Sequence, residues 1–355
     1  MSEMTRYERF KRMYEHKEAD RVPIMDSPWA GTIRRWKKEG MPENINWEEY
    51  FGVDKMVGIN VDITPRFEEK IIEETDRYII KTSNWGVTMK HFKEEDSTPE
   101  MLDYKVKNAE EWENCKKLMT LEDNRIPWKY LEENYDKWRK NGEWICAGFW
   151  FGFDVTHSWM MGTENLLIAM MEEPELIEDM FDTYLNRCET LFQRIWDKGY
   201  RFDEISWPDD MGYKGTTFFS PNMYREMVKP FHQRAAKFAH DKGIYARMHS
   251  CGDIRKLVPD IIDAGIDALN PLEVKAGVDA KELKKKYGDK LVLHGGINAV
   301  NWKYPEKIIA EIEEKVPVLK ENGGYIFSSD HSIPNDVSLE NMKLIMEKAK
   351  IAGKY

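Results

Sequence analysis

Tyr245-Ala-Arg-Met-His-Ser-Cys-Gly-Asp253 is a short apolar run that stops on His249 and Cys251 and turns at Gly252 into a helical pattern. As a parallel strand it carries both side chains to its carboxyl end, where open α/β sheets and barrels place their chemistry. Residues two apart on a strand point to the same side. The imidazole and the thiol therefore lie together, and these are two of the ligand types that a zinc ion takes. A buried cysteine is more often a small hydrophobe than a ligand, so the surroundings of the pair decide what it is.

The same rhythm recurs on both sides of this run. Residues 144–152, 202–212, 268–273, 291–296 and 324–330 each read as a strand with its exit loop. Residues 174–198, 221–242, 254–264, 279–287, 306–322 and 339–352 read as helices between or after them. Short strands separated by helices imply parallel β-structure joined by right-handed crossovers. Nearer the amino end, residues 5–17 form an amphipathic helix opened by Thr5 and Glu8 in capping-box spacing. Residues 24–31 give a short strand that runs out at Asp26 and Trp29, residues 70–92 alternate at period two as antiparallel strands, and residues 109–135 are mostly helical. Together these imply a (β/α)8 TIM barrel with N-terminal helical and β-hairpin excursions. With 355 residues and no Pro/Gly-rich linker, a single domain over 1–355 is expected.

Composition removes several function classes. A formal net charge of -11 argues against nucleic acid or an anionic membrane surface as partner, since both call for clustered Lys and Arg. No apolar run approaches the ~18 residues of a membrane span, and the start Met1-Ser-Glu-Met-Thr-Arg lacks the apolar core of a signal peptide. The four cysteines, Cys115, Cys146, Cys188 and Cys251, follow no framework spacing. A cytoplasmic protein with reduced thiols is the expectation. The 13 Trp and 20 Met suit either a core or a pocket for a flat apolar ligand.

Each strand of the repeated part ends on residues able to do chemistry: Asp209 and Asp210, His249 and Cys251, Asn270 and Glu273, His294, then Asp330 and His331. Singly, each has a plain structural use: Asp330 as a turn former, His294 bonded to a carbonyl, Glu273 paired with Lys275. Recurrence at the same end of consecutive strands instead implies one mouth holding a metal or acid–base site. Imidazole, thiolate and carboxylate together suit zinc with an open position. The expected ligands are His249, Cys251, Glu273, His294 and His331, with Asp210, His249 and Asp330 as catalytic groups. Trp29, Trp85, Phe149, Phe151, Trp159, Trp207 and Met211 lie near strand ends and are expected to wall a planar substrate.

Several motifs carry a resemblance. Arg21-Val-Pro, the run 149–167 with Gly162-Thr-Glu-Asn-Leu-Leu, Ser220-Pro-Asn-Met-Tyr-Arg-Glu-Met-Val-Lys-Pro, His249-Ser-Cys-Gly-Asp, Asp267-Ala-Leu-Asn-Pro-Leu-Glu, His294-Gly-Gly-Ile and Ser328-Ser-Asp-His-Ser-Ile-Pro together resemble the uroporphyrinogen decarboxylase superfamily, in order along nearly the whole chain. That resemblance implies a TIM barrel. In its decarboxylases an arginine-rich N-terminal segment grips tetrapyrrole carboxylates, whereas this chain has the acidic and aromatic Asp26-Ser-Pro-Trp-Ala-Gly. In its corrinoid-dependent methyltransferases a His-x-Cys pair and a later Cys bind zinc. His249 and Cys251 match the pair, and His331 stands where the later Cys would be. The ether-cleaving members use carboxylate and histidine ligands, which Glu273 and His294 resemble, so two overlapping ligand sets stay open.

The resemblance thus implies the methyltransferase of a corrinoid-dependent O-demethylase. Its donor would be a methoxylated aromatic compound, its metal zinc, and its partner a corrinoid protein carrying cobalamin; any self-association is expected to be a homodimer. Decarboxylation of a tetrapyrrole or small acid, methyl transfer from another donor or to a thiol, and a non-enzymatic role beside a corrinoid protein are the alternatives.

Overall fold

In a computed structural model of the chain, which describes residues 3–93 and 98–355, seven parallel strands form one curled sheet in sequential order. They are β1 (Met56–Asn60), β2 (Trp144–Gly148), β3 (Glu204–Pro208), β4 (Tyr245–His249), β5 (Ala268–Asn270), β6 (Val292–His294) and β7 (Tyr325–Ile326). Long helices such as Pro174–Asp197, Lys229–His240 and Pro305–Leu319 cover the outside. The eighth place is filled by extended chain at residues 22–28 and not by a regular strand. Ile24 bridges Phe327 and Pro28 bridges Ile333, both in parallel sense, while the Asp54 amide donates to the Ile24 carbonyl at 2.8 Å. Pro23 and Pro28 have no N–H to continue a ladder, which reduces the expected strand 24–31 to these bridges. The ring nonetheless closes as a TIM barrel.

Sequence reading passed over β1, whose Met-Val-Gly-Ile-Asn is short and interrupted by Gly58. The alternating stretch near residues 70–92 is a four-stranded antiparallel sheet of Ile71–Glu74, Tyr78–Thr82, Thr88–Phe92 and Glu100–Asp103. Its last strand was also passed over. Among the described residues no helix is long and apolar enough to cross a membrane.

Side-chain alternation divides the barrel into two cores. Odd-numbered residues of β4 (Tyr245, Arg247, His249) face the interior, and Ala246 and Met248 are fully buried against the helices. Along β2 and β3 the interior positions are even: Trp144, Cys146 and Gly148, then Glu204, Ser206 and Pro208. The floor of the interior is an apolar cluster of Trp144, Ala268, Val292 and Ile326 together with Phe10, Met13 and Tyr14. The last three belong to the helix Arg6–Tyr14, which opens with the expected Thr5/Glu8 capping box and plugs the amino end of the barrel. Its Arg9 is buried and pairs with Asp54 at 2.5 Å and Asp20 at 2.7 Å. Above the floor, Glu204 accepts from the Tyr14 hydroxyl at 2.5 Å, the Trp144 indole at 3.0 Å and Arg247 Nε at 2.8 Å.

Candidate active site

The carboxyl ends of β3 and β4 are held together by backbone contacts. The Asp209 amide donates to the His249 carbonyl at 2.7 Å, and the Ser250 amide to the Asn270 carbonyl at 2.8 Å. Gly252, with φ of +80°, makes the turn that follows, and a Cβ there would lie 2.2 Å from the carbonyl carbon of Gly212. Glycine at this crossing lets the loops after β3 and β4 touch. Their contact brings the Cys251 amide to Asp210 Oδ1 at 2.8 Å.

The product is a cluster of three ligand-type side chains, Asp210, His249 and Cys251, whose donor atoms lie within 4.8 Å of one another. His249 Nε2 is 3.2 Å from Cys251 Sγ and 3.6 Å from Asp210 Oδ1. Donors bound to one tetrahedral zinc stand about 3.5 Å apart at ordinary bond lengths. The three residues therefore fit that ion and leave room for a fourth, exchangeable ligand. Asn270 fixes the imidazole from behind, its carboxamide 2.9 Å from Nδ1. Turned with its oxygen to an Nδ1–H, that amide leaves the Nε2 lone pair aimed at the cluster.

Charge follows from burial. Desolvation, reinforced by Asp210 and Glu273, pushes the Cys251 thiol well up. Burial also raises the Asp210 carboxyl above its ordinary range, although His249 pulls it back, and burial lowers His249 despite the neighbouring Asp210. A divalent cation inverts this logic by favouring thiolate, carboxylate and neutral imidazole together.

Of the five expected metal ligands, His249 and Cys251 converge and three stand elsewhere. Glu273 accepts the Gly252 amide at 2.6 Å and faces Lys275 at 3.4 Å, bracing the turn from outside the cluster. His294 is buried in the barrel interior with no partner for Nδ1, and burial beside Arg247 and His249 takes its imidazole down to about 3. His331 is exposed, its ring 6.3 Å from Trp29. Among the expected catalytic groups, Asp210 and His249 meet. Asp330 instead accepts the Ala299 amide at 2.7 Å and the Val274 amide at 2.9 Å, tying two exit loops together.

The expected aromatic wall is corrected more strongly. Phe149, Phe151, Trp207 and Met211 are buried to within 1%. Phe149 stacks on Phe192 at 5.1 Å, and Phe151 packs on Trp207 at 5.4 Å, in the layer between sheet and helices. Residues 149, 207 and 209 continue the outward-facing parity of their strands, so they never reach the mouth. Asp209 accordingly pairs with the buried His232 at 2.6 Å. Trp29, Trp85 and Trp159 remain partly exposed, the last two with ring centres 6.3 Å apart.

Two features went unread in the sequence. After β2 a π-helical segment, Thr156–Met161, brings His157 to Asp154 at 3.1 Å, and the Asp154 amide donates to Asp209 at 2.7 Å, next to Asp210. Deeper in the barrel a cavity of about 290 Å³ is lined by Met25, Asp26, Met56, Gly58, Cys146 and Arg247 among others. The parity that places His249 inside places Arg247 there too.

The uroporphyrinogen decarboxylase (URO-D) family model matches residues 5–351. The methylcobamide:CoM methyltransferase MtaA of Methanosarcina barkeri is 28% identical over 144 residues, covering 41% of this chain and 38% of that protein. A uroporphyrinogen decarboxylase of Pelodictyon phaeoclathratiforme is 30% identical over 105 residues, 28% of each chain. These matches thus span well under half of the relatives' own length. A solved methyltransferase from Methanosarcina mazei shares the fold, with a TM-score of 0.66 over 98% of both chains at 17% identity. A match that runs from the plug helix to the last helix shows that the chain belongs to the uroporphyrinogen decarboxylase family.

Proposed function

We propose that this chain is a corrinoid-dependent methyltransferase of an O-demethylase. It would take the methyl group of a methoxylated aromatic compound and deliver it to the cob(I)alamin of a separate corrinoid protein. The observation that carries this reading is the meeting of Asp210, His249 and Cys251 at the carboxyl mouth of the barrel.

The chemistry asks for three things. The methyl–oxygen bond breaks with both electrons staying on oxygen, the methyl carbon bonds to the cobalt brought in as co-substrate, and the aryloxide must be stabilised and then protonated. Zinc bound by Asp210, His249 and Cys251 would supply the Lewis acidity that stabilises this oxygen. The chain's own groups do the rest. Asn270 holds the His249 ring in place. With Asp210 held as a carboxylate by the metal, the neighbouring His157–Asp154 pair is the group placed to deliver a proton to the leaving oxygen. Alignment and charge are the protein's contribution, while the nucleophile belongs to the corrinoid.

The likeness to MtaA favours a second reading, methyl transfer from the corrinoid to a thiol, with the thiol sulfur in the open metal position. One experiment separates the two readings. Protein loaded with zinc is mixed with titanium(III)-reduced cobalamin and a panel of methoxyarenes, and separately with methylated cobalamin and coenzyme M. Conversion to the methylated corrinoid spectrum in the first mixture is expected. Conversion only in the second replaces O-demethylation by thiol methylation, and activity in neither, with zinc-independent loss of CO2 from a carboxylated substrate, replaces both by decarboxylation.

A further inference from the structure

The cavity beneath the metal ligands has a built polar end. Arg247 lies two residues before His249 on the same side of β4, about 7 Å deeper into the barrel at the usual strand rise. One edge of its guanidinium is fixed, because Nε donates to Glu204 at 2.8 Å and Glu204 is locked in turn by Tyr14 and Trp144. Nη2 shares that carboxylate at 2.8 Å and otherwise meets only weak acceptors, Met56 Sδ at 3.6 Å and Cys146 Sγ at 3.8 Å, while Nη1 has only the Asn270 carboxamide at 3.4 Å, which presents its NH2 once the oxygen is turned to His249. Guanidinium has five N–H donors and this site leaves the outer ones poorly matched, a cost that an oxygen acceptor from a ligand would remove. The apolar part of the wall is Met25, Met56, Trp47, the Cys146 thiol and the bare backbone of Gly58, with Asp26, Glu48, Asp54 and Lys55 completing the lining. The soft groups among them suit one aromatic ring, and about 290 Å³ stands at the lower end of ligand pockets.

Charge selects the kind of oxygen. Glu204 already balances Arg247, Asp54 is held by Arg9 and Arg21, and Asp26 also lines the cavity, its oxygens accepting from the Ser329 amide and hydroxyl. Lys55 and Glu48 line it as well, so its three carboxylates, Asp26, Glu48 and Asp54, already outnumber its two cations, Lys55 and Arg247, and a further carboxylate is disfavoured. We propose that this cavity is the subsite for the far end of the substrate ring, and that Arg247 there receives a neutral phenolic hydroxyl para to the methoxy group held at Asp210, His249 and Cys251. The inference rests on the O-demethylase reading for the identity of the methoxy end, and assigns the ring substitution that reading leaves open.

Calorimetric binding to the whole protein, with no corrinoid present, tests the subsite apart from turnover. 4-Methoxyphenol is expected to bind at least about tenfold more tightly than methoxybenzene, the usual worth of a hydrogen bond to a charged group, and more tightly than 4-methoxybenzoate. Gly58→Leu fills the cavity from a strand position where a Cβ meets nothing closer than Asn60 Nδ2 at 3.7 Å. It should abolish binding with the thermal midpoint held, and Arg247→Lys, which keeps the charge but loses the fork, should erase the preference for the phenol. Equal binding of methoxybenzene, tighter binding of the benzoate, or unchanged binding in folded Gly58→Leu would overturn the subsite. Selective binding of the phenol without methyl transfer to cobalamin would keep the subsite and reject the reaction.

Discussion

Asn270 touches no substrate in the proposed chemistry, yet it decides what His249 can do. An imidazole that binds a metal through Nε2 needs its Nδ1–H held, and partners of this sort change metal affinity by about 10–100-fold when removed. Asn270→Ala is therefore expected to weaken zinc binding by that factor in a competition titration with a chelating dye, with the far-ultraviolet circular dichroism unchanged. His249→Ala should lose both the zinc and the methyl transfer, and wild-type turnover in that variant would dismiss the site. That His249 and Cys251 share a side was legible from their spacing on one strand, whereas Asp210 joins them through the contact of two folded loops. Glu273 and Asp330 stand apart from the cluster because their oxygens accept from the amides of residues 252, 274 and 299, partners that exist only once the loops have folded. Asp210 is the reverse case, a residue expected as an acid that stands beside His249 and Cys251 among the ligand-type side chains.

Loops and strands set the next level of precision. The crossing of Gly252 over Gly212 is the contact that aligns the exits of β3 and β4. Gly252→Ala forces a side chain into left-handed backbone, costing about 1–3 kcal/mol, and drives its Cβ into the facing backbone. The expected result is a lower thermal midpoint together with weakened zinc binding, since the two loops must part. Normal zinc affinity in a destabilised variant would show that the crossing serves stability alone. Element positions along the repeated half of the chain were readable from alternating strands and helices. The aromatic wall was not, for a reason of counting: Phe149 and Trp207 look like pocket residues by proximity to a strand end, but they fall on the odd positions of strands whose interior is even. Parity taken from His249 could not be transferred to β2 and β3 without knowing their register, and a shift of one residue exchanges inside for outside.

For the molecule as a whole, the plug helix Arg6–Tyr14 is fastened by charge as well as by packing. Burial alone would raise the Asp20 carboxyl, but the Arg9 guanidinium together with the Met4 and Arg21 amides brings it down to about 2. A carboxylate depressed in the folded state contributes stability above its unfolded value near pH 4, and loses it as pH falls through about 2. Urea unfolding is expected to show stability declining between about pH 4 and pH 2. Asp20→Asn should be less stable at neutral pH and flatter across that window; an unchanged slope would locate the acid sensitivity elsewhere. The barrel as an architecture was readable from the recurrence of strand and helix, whereas its closure through proline-bearing chain at residues 22–28, with bridges in place of a strand, was hidden by the apolar look of Ile24-Met25.

The plug also has a bearing on how the chain matures on the ribosome. Phe10, Met13 and Tyr14 are made early, yet the surfaces that cover them include Ala268, Val292 and Ile326, which leave the exit tunnel some 250 residues or more later. At ordinary rates of translation the apolar face of this helix waits on the order of tens of seconds for its partners. Through that interval it is a natural target for chaperones that grip nascent polypeptides.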